Sequence, residues 1–471
     1  MRKINKIAAG RYFGNLRIIA VFILIALALP LCRVPVGAAY TFGDLRASSA
    51  LVAEVDTGEV LFGRNAELRH PADALTRVMT LLLVVTACEN GEADPDDILV
   101  MTESAYYDID PMTTTLGIMP EEKMSLRDLM YSAFVGGAGE ACNLLAEHIA
   151  GSVNQFVRDM NTRASELGCS NTNFINTHGR YNDSQYTSAL DQFVIFREAL
   201  SSPLFVEISG IYTHEMEETN MSGARRVTST NELLNQNSKY YYRSSTSGIA
   251  SATFEGGYSV VAFAESGGLS LIAVVLGSDD IIFEDDSVEL RNFTGAQHLF
   301  DWGLSQFSWR TILSSTDLID RAPVMHGAGA DFVNLRPDSS ITLLLDNDIP
   351  DEAYLRTVII YSVENEETLY APIYAGDVLG EIILTRGNET HGPILLVANT
   401  GIELHRMQFV RMQINDMLET SLARTIIWVL ILLVVGYIAL VIRYHVIRSK
   451  RRRKIAQAKA KLREERQSKG E

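Results

Sequence analysis

Pro71-Ala72-Asp73-Ala74-Leu75-Thr76-Arg77-Val78-Met79-Thr80 is the stretch on which the reading of this chain turns. From Thr76 to Glu89 the sequence is apolar nearly all round, which predicts a helix buried inside a core. Before it, residues 49–62 read as a hairpin, with Ala50-Leu51-Val52-Ala53-Glu54-Val55, a turn at Asp56-Thr57-Gly58, then Glu59-Val60-Leu61-Phe62. After it, 125–151 and 153–167 are helical by period, and Gly168 stops the second of these. Residues 258–264 and 269–276 are apolar, β-rich and joined by Ser266-Gly267-Gly268, a second hairpin. Strands, then helices, then strands again predict an α+β domain: an antiparallel sheet flanked by helices.

Beyond about Trp309 short β-rich runs alternate with polar turns, as in Ser340-Ile341-Thr342-Leu343-Leu344-Leu345 and Ile394-Leu395-Leu396-Val397. A small all-β domain over 309–400 follows. Residues 401–424 are expected to form an amphipathic helix. Residues 425–442 carry no charge and, as a helix, extend roughly 27 Å, about one hydrocarbon core. Arg443, Arg448, Lys450, Arg451, Arg452, Arg453 and Lys454 crowd the far flank. Such clusters stay cytoplasmic, which places the body outside and a basic tail, 443–471, inside. Residues 1–39 have a basic start, an apolar run over 18–31 and small residues at Val36-Gly37-Ala38-Ala39. They read as a secretory signal, with an uncleaved anchor as the alternative. Cys32 follows Leu29-Pro30-Leu31, which is no lipoprotein box.

The 471 residues are 47% hydrophobic and 21% charged, an ordinary globular composition. Removing the two basic ends leaves 40–442 with 23 basic and 55 acidic side chains. So acidic a body repels phosphate, which argues against nucleic acid as a partner. Cys88, Cys142 and Cys169 are too few and too irregular for a disulfide framework or a metal motif, though a Cys142–Cys169 pair stays open. No metal-ligand spacing and no phosphate-binding glycine loop occur, so no cofactor and no metal are expected.

Several stretches resemble the serine-type D-alanyl-D-alanine carboxypeptidases, the low-molecular-weight penicillin-binding proteins of β-lactamase/transpeptidase-like fold. Residues 71–80 resemble the family's P-[IA]-A-S-[LV]-T-K-[IVL]-M-T. Glu54-Val55-Asp56-Thr57-Gly58-Glu59-Val60-Leu61 resembles its opening D-x-x-T-G-x-V-L hairpin. Leu145-Ala146-Glu147-His148-Ile149-Ala150-Gly151-Ser152 resembles its L-A-E-H helix, and Asn173-Phe174-Ile175-Asn176-Thr177-His178-Gly179 its F-x-N-P-H-G loop. Ala371-Pro372-Ile373 and Ala375-Gly376-Asp377-Val378-Leu379-Gly380 are similar to the β-domain that often follows. The likeness runs over about 48–400, in order and at similar spacing.

The resemblance implies chemistry that these residues do not carry. Its S-x-x-K serine forms an acyl-enzyme and its lysine accepts the serine proton. Here the serine aligns with Ala74 and the lysine with Arg77. Ala74 has no nucleophile, and a guanidinium does not deprotonate in proteins. The family's S-x-N aligns with Gly137-Ala138-Gly139, so both polar residues become glycine. Its K-T-G, framed by Lys239-Tyr240-Tyr241-Tyr242 and Gly248-Ile249, falls on Ala250-Ser251-Ala252. No lysine anywhere has a serine three residues before it. Ser152-Val153-Asn154 and Ser229-Thr230-Asn231 spell S-x-N outside the frame.

Asp73 is expected to pair with Arg77 one helical turn on. Thr76 should point away from the Ala74 face, Ser251 has no evident base, and His148 and His178 read as structural. The sequence thus predicts a membrane-anchored extracellular protein without catalysis, binding or scaffolding at peptidoglycan or among cell-wall proteins. The alternatives are a working carboxypeptidase with an unconventional site and a signalling component acting through the span.

Overall fold

The computed structural model describes residues 45–282, 288–419 and 421–467. The expected signal segment lies outside them. The chain forms two compact units. One holds the described residues up to Trp309 with Leu344–Asp348; the other holds Arg310–Leu343 and the described residues from Ile349 onward.

The first unit is built on a five-stranded antiparallel sheet. Its strands are β1 (Ala47–Glu54), β2 (Val60–Arg64), β3 (Ser245–Thr253), β4 (Gly257–Ser266) and β5 (Leu269–Ser278), in the order β2-β1-β5-β4-β3. Leu51 lies opposite Val274, Val261 opposite both Val274 and Ile249, and Ala250 opposite Val260. Successive side chains leave a strand on opposite faces, and here both faces are covered. Leu51, Ala53, Val261, Ile272, Val274 and Leu276 share one core, while Ala50, Val52, Val260, Ala262, Ala273 and Val275 share another. Burial on both sides is why these strands read as continuous apolar runs.

The first core is closed by α1 (Thr76–Glu89), α2 (Leu126–Phe134), α3 (Gly139–Ala150), α4 (Val153–Glu166), α5 (Ala189–Ala199) and α6 (Pro203–Ser209). The second is closed by α7 (Arg291–Gln306), through Phe293, Ala296, Leu299 and Phe300. As its apolar circumference predicts, α1 is buried over ten of its fourteen residues. The single helical stretch expected over 125–151 is instead two helices. Ser125 caps the first, its Oγ accepting from Asp128 N at 3.0 Å. Gly137 then takes φ +73°, which no helix can continue and which a side chain disfavours.

The second unit carries another five-stranded antiparallel sheet. Its strands are β6 (Asp320–Pro323), β7 (Phe332–Pro337), β8 (Leu355–Ile360), β9 (Val378–Arg386) and β10 (Glu389–Ala398), ordered β6-β7-β10-β9-β8. Val333, Leu335, Ile382, Leu384 and Leu396 form its buried side. Helices α8 (Arg406–Glu419) and α9 (Ser421–Gln467) end the described chain. By length and composition α9 is apolar enough to cross a membrane within Arg424–Ala460. It runs on without a break into the basic segment.

Phe300 is fully buried and stacks on Tyr242 with centroids 5.4 Å apart. Phe300→Ala should lower the unfolding free energy by about 3–5 kcal/mol, read by chemical denaturation.

Candidate active site

Ala74, Arg77, Gly137, Ala250, Ser251 and Ala252 all line one cleft of about 460 Å³ in the first unit. Three segments far apart in sequence are thus brought together: the start of α1, the turn between α2 and α3, and β3. Gly139 does not join them. It is buried behind the cleft, where an added Cβ would come within 2.7 Å of Thr113 Cγ2 and 2.8 Å of Ile109 Cδ1.

The start of α1 is held by its surroundings. Asp73 adopts φ +42°, a left-handed conformation that Asp tolerates better than most residues. Because Asp73 is outside the helix, the helical spacing that would pair it with Arg77 does not apply. Its Oδ2 instead accepts from Thr253 Oγ1 at 2.7 Å, tying the turn to β3. Burial raises the Asp73 carboxyl above the ordinary range, and the Thr253 bond opposes the shift. Gly179 packs on the same turn, where a Cβ would lie 2.0 Å from Asp73 O. Ala74 N–H donates to Ser251 Oγ at 3.4 Å, the one hydrogen bond of that hydroxyl among the described residues. Thr76 is buried, its Oγ1 accepting from Gln185 Nε2 at 3.2 Å, so it is turned away from Ala74 as expected.

Arg77 points into the α2–α3 turn. Its side chain is nearly buried, and Nη1 donates to Ala133 O and Phe134 O, each at 3.4 Å. Nε is buried without a partner among the described residues. A Cβ on Gly137 would stand 2.7 Å from Nη1, so the guanidinium occupies the space that a side chain at 137 would need. Cys142 lies close enough for the guanidinium to favour its thiolate, yet burial dominates and pushes the thiol up to about 12. Cys142 and Cys169 are both buried free thiols, so the possible disulfide is not formed.

His178 is the group whose position the sequence did not reveal. Its Nδ1 accepts from Arg180 N at 3.2 Å, and its Nε2 is buried without a partner among the described residues. Burial first, then Arg77, pushes its pKa down to about 4. The supporting loop is knit by Thr177 Oγ1 to Asn143 Oδ1 at 2.6 Å and Thr80 Oγ1 to Thr177 O at 2.6 Å. Met112, Thr113 and Thr114 line the cleft from a segment without a periodic signal, and Arg180 lines it while paired to Asp110 at 3.2 Å.

A model of the D-alanyl-D-alanine carboxypeptidase family, Peptidase S11, matches residues 36–280. The chain belongs to that family. It is 26% identical over 349 residues to D-alanyl-D-alanine carboxypeptidase DacF of Bacillus subtilis, covering 73% of this chain and 82% of that one. It is 26% identical over 348 residues to DacA of Escherichia coli K12, covering 72% and 79%. Among solved structures, penicillin-binding protein 5 of Haemophilus influenzae superposes with a TM-score of 0.55 at 22% identity, over 76% of this chain and 98% of that one. PBP3 of Streptococcus pneumoniae, a peptidoglycan synthesis regulatory factor, gives 0.55 at 22%, over 76% and 100%. The α+β fold, the small β-domain and the apolar C-terminal helix thus stand as the sequence implied, in a carboxypeptidase-like family that acts on the cell wall.

Two outcomes follow from the site. Gly137→Ser should cost about 1–3 kcal/mol, from its φ and from the crowding at Nη1. In an Arg77→Ala background the crowding is gone, so the cost should fall by at least about 0.5 kcal/mol in a denaturation double-mutant cycle. Additive values would show that the guanidinium does not oppose a side chain there. Separately, the His178 ring should stay neutral down to about pH 5 when followed by NMR. The unfolded state holds more protons on this ring between about pH 6.5 and 4, so its contribution to stability is lost as pH falls through that window. His178→Gln should flatten that part of the stability profile.

Proposed function

We propose that this carboxypeptidase-family chain is a membrane-anchored ectodomain that binds at peptidoglycan and does not acylate. One observation carries the reading. Ala74, Arg77, Gly137, Ala250, Ser251 and Ala252, drawn from all three boxes, converge on one cleft, and Ala74, Arg77, Gly137 and Ala250 bring neither a nucleophile nor a base to it. Acyl transfer needs an activated nucleophile with a base within hydrogen-bond reach. The Ser251 hydroxyl is the nearest substitute, and no basic nitrogen is among its partners. Gly139, Ser251 and Ala252 complete the degenerate set proposed here, with Gly139 as a packing position. Helix α9 supplies the anchor, with the acidic body outside and the basic tail inside.

Fluorescent penicillin tests the reading. The purified protein should carry no label under conditions that label an active relative. A stoichiometric serine-linked adduct would establish the alternative, a working carboxypeptidase with an unconventional site. Protease added to wall-stripped cells should digest the body and spare an epitope placed after Arg453. Loss of that epitope across a sealed membrane would invert the topology. Ala74→Ser with Arg77→Lys should fold and yet release no D-alanine. Members of a catalytic unit act non-additively, so two restored groups return little while Gly137, Gly139 and Ala250 stay as they are.

A further inference from the structure

One segment of the second unit exposes rings at alternate positions. Tyr370, Pro372 and Tyr374 face solvent, while Ala371 and Ile373 between them are buried. The segment is held by its neighbours. Ala371 N donates to Met325 O at 3.0 Å, and Ile373 exchanges backbone hydrogen bonds with Ile402 at 2.9 and 2.8 Å. His326 joins the row. Its ring is within 16° of parallel to that of Tyr370, with centroids 5.7 Å apart. His326 sits at φ +61°, a left-handed conformation that is uncommon outside glycine and gathers at ligand-binding positions. The His405 amide, donating to His326 O at 2.8 Å, holds it there. Phe332 on β7 differs, because the Arg321 guanidinium already lies over its ring at 4.5 Å. Tyr374 is 68% exposed and has no ring or cation on it among the described residues. A bare aromatic face suits a flat ligand face lined by C–H bonds, whose hydrogens meet the negative π-face. A β-linked pyranose has that shape, with C–H bonds on its faces and hydroxyls and amides around its rim. Charge narrows the choice further. Asp377 Oδ2 accepts from Tyr374 N at 2.7 Å, Glu366 and Glu367 lie just before Tyr370, and Glu403 follows Ile402. These acids repel an anionic polymer or an anionic lipid surface.

We infer that this row is a glycan site, where Tyr370, Tyr374 and His326 stack on the sugar faces of an uncharged β-1,4-linked N-acetylhexosamine chain. Such a chain is the backbone of peptidoglycan. The inference rests on the reading of the protein as one that binds at peptidoglycan, and it gives the glycan part of that binding to the second unit. It asks nothing of Ala74, Arg77 or the cleft they line, so the two can be tested apart.

The test uses the full chain in a zwitterionic detergent without a sugar headgroup. Chitohexaose, a glycan of this linkage that carries no peptide, is titrated by calorimetry. Binding to purified peptidoglycan sacculi is followed by co-sedimentation. The native chain should bind chitohexaose, and Tyr370→Ala and Tyr374→Ala should each weaken that binding at least about fivefold, the scale of one lost ring contact. Tyr374→Phe keeps the ring and should stay within about twofold of the native chain. His326→Gly relieves the left-handed strain, so it should not lower the melting temperature, yet it should weaken binding. Chitohexaose bound as tightly by the Tyr370→Ala, Tyr374→Ala double variant as by the native chain overturns the inference. Native chain that binds sacculi but not chitohexaose sinks the glycan row alone. Native chain that fails to bind sacculi sinks the wall-binding reading on which the row rests.

Discussion

Helix α1 is buried over ten of its fourteen residues, and the site depends on that burial. It packs among the other helices of the first unit, and Val78, Met79, Leu81, Leu82, Val84 and Val85 belong to the main core. A buried helix cannot rotate or slide without opening voids, since interiors are packed to crystal density. Its first turn is pinned further by Asp73 on Thr253 and by Gly179 against the Asp73 carbonyl. Positions 74 and 77 are therefore delivered to the cleft by the packing behind them, whatever side chains they bear.

This separates the fold from the chemistry. Of Ala74, Arg77, Gly137, Ala138, Gly139, Ala250, Ser251 and Ala252, only Ala138 and Ala250 belong to an apolar core. Replacing a nucleophile by alanine, or an amide by glycine, removes polar groups from a cleft wall and leaves the burial that stabilises the domain intact. Arg77 is different, because the larger guanidinium must be housed. The turn after α2 houses it: Gly137 offers no Cβ, and the carbonyls of Ala133 and Phe134 offer acceptors. Arginine at 77 and glycine at 137 fit one another sterically.

The parts of the molecule governed by apolar pattern were legible in the sequence. The runs over 258–264 and 269–276 are β4 and β5, and the all-round apolar segment is α1. The quoted boxes gave the cleft because aligned order fixes topology. What the pattern could not give was set by backbone geometry and by long-range polar contact. Period alone does not show that Gly137 breaks a helix, because an isolated glycine is tolerated inside one. The expected Asp73–Arg77 pair is not formed, since Asp73 opens a short 3-10 turn ahead of α1 with a left-handed φ and its carboxylate is held by Thr253. The tautomer of His178 depends on the Arg180 amide two residues away, and the contribution of Met112–Thr114 depends on a loop without periodicity.

The charge distribution bears on how such a molecule is kept in place. Residues 40–442 carry 55 acidic against 23 basic side chains, so an anionic surface repels the body rather than retaining it. Under the proposed anchoring, retention falls to α9. Its 47 residues extend about 70 Å as a helix, of which the uncharged 425–442 account for roughly 27 Å. In the proposed orientation the rest projects chiefly on the cytoplasmic side as a cationic rod, where anionic headgroups attract Lys and Arg by about 1 kcal/mol each. In that orientation acid outside and base inside would act in the same direction, each opposing withdrawal of the helix, and would keep the cleft at the wall for as long as the helix stays inserted.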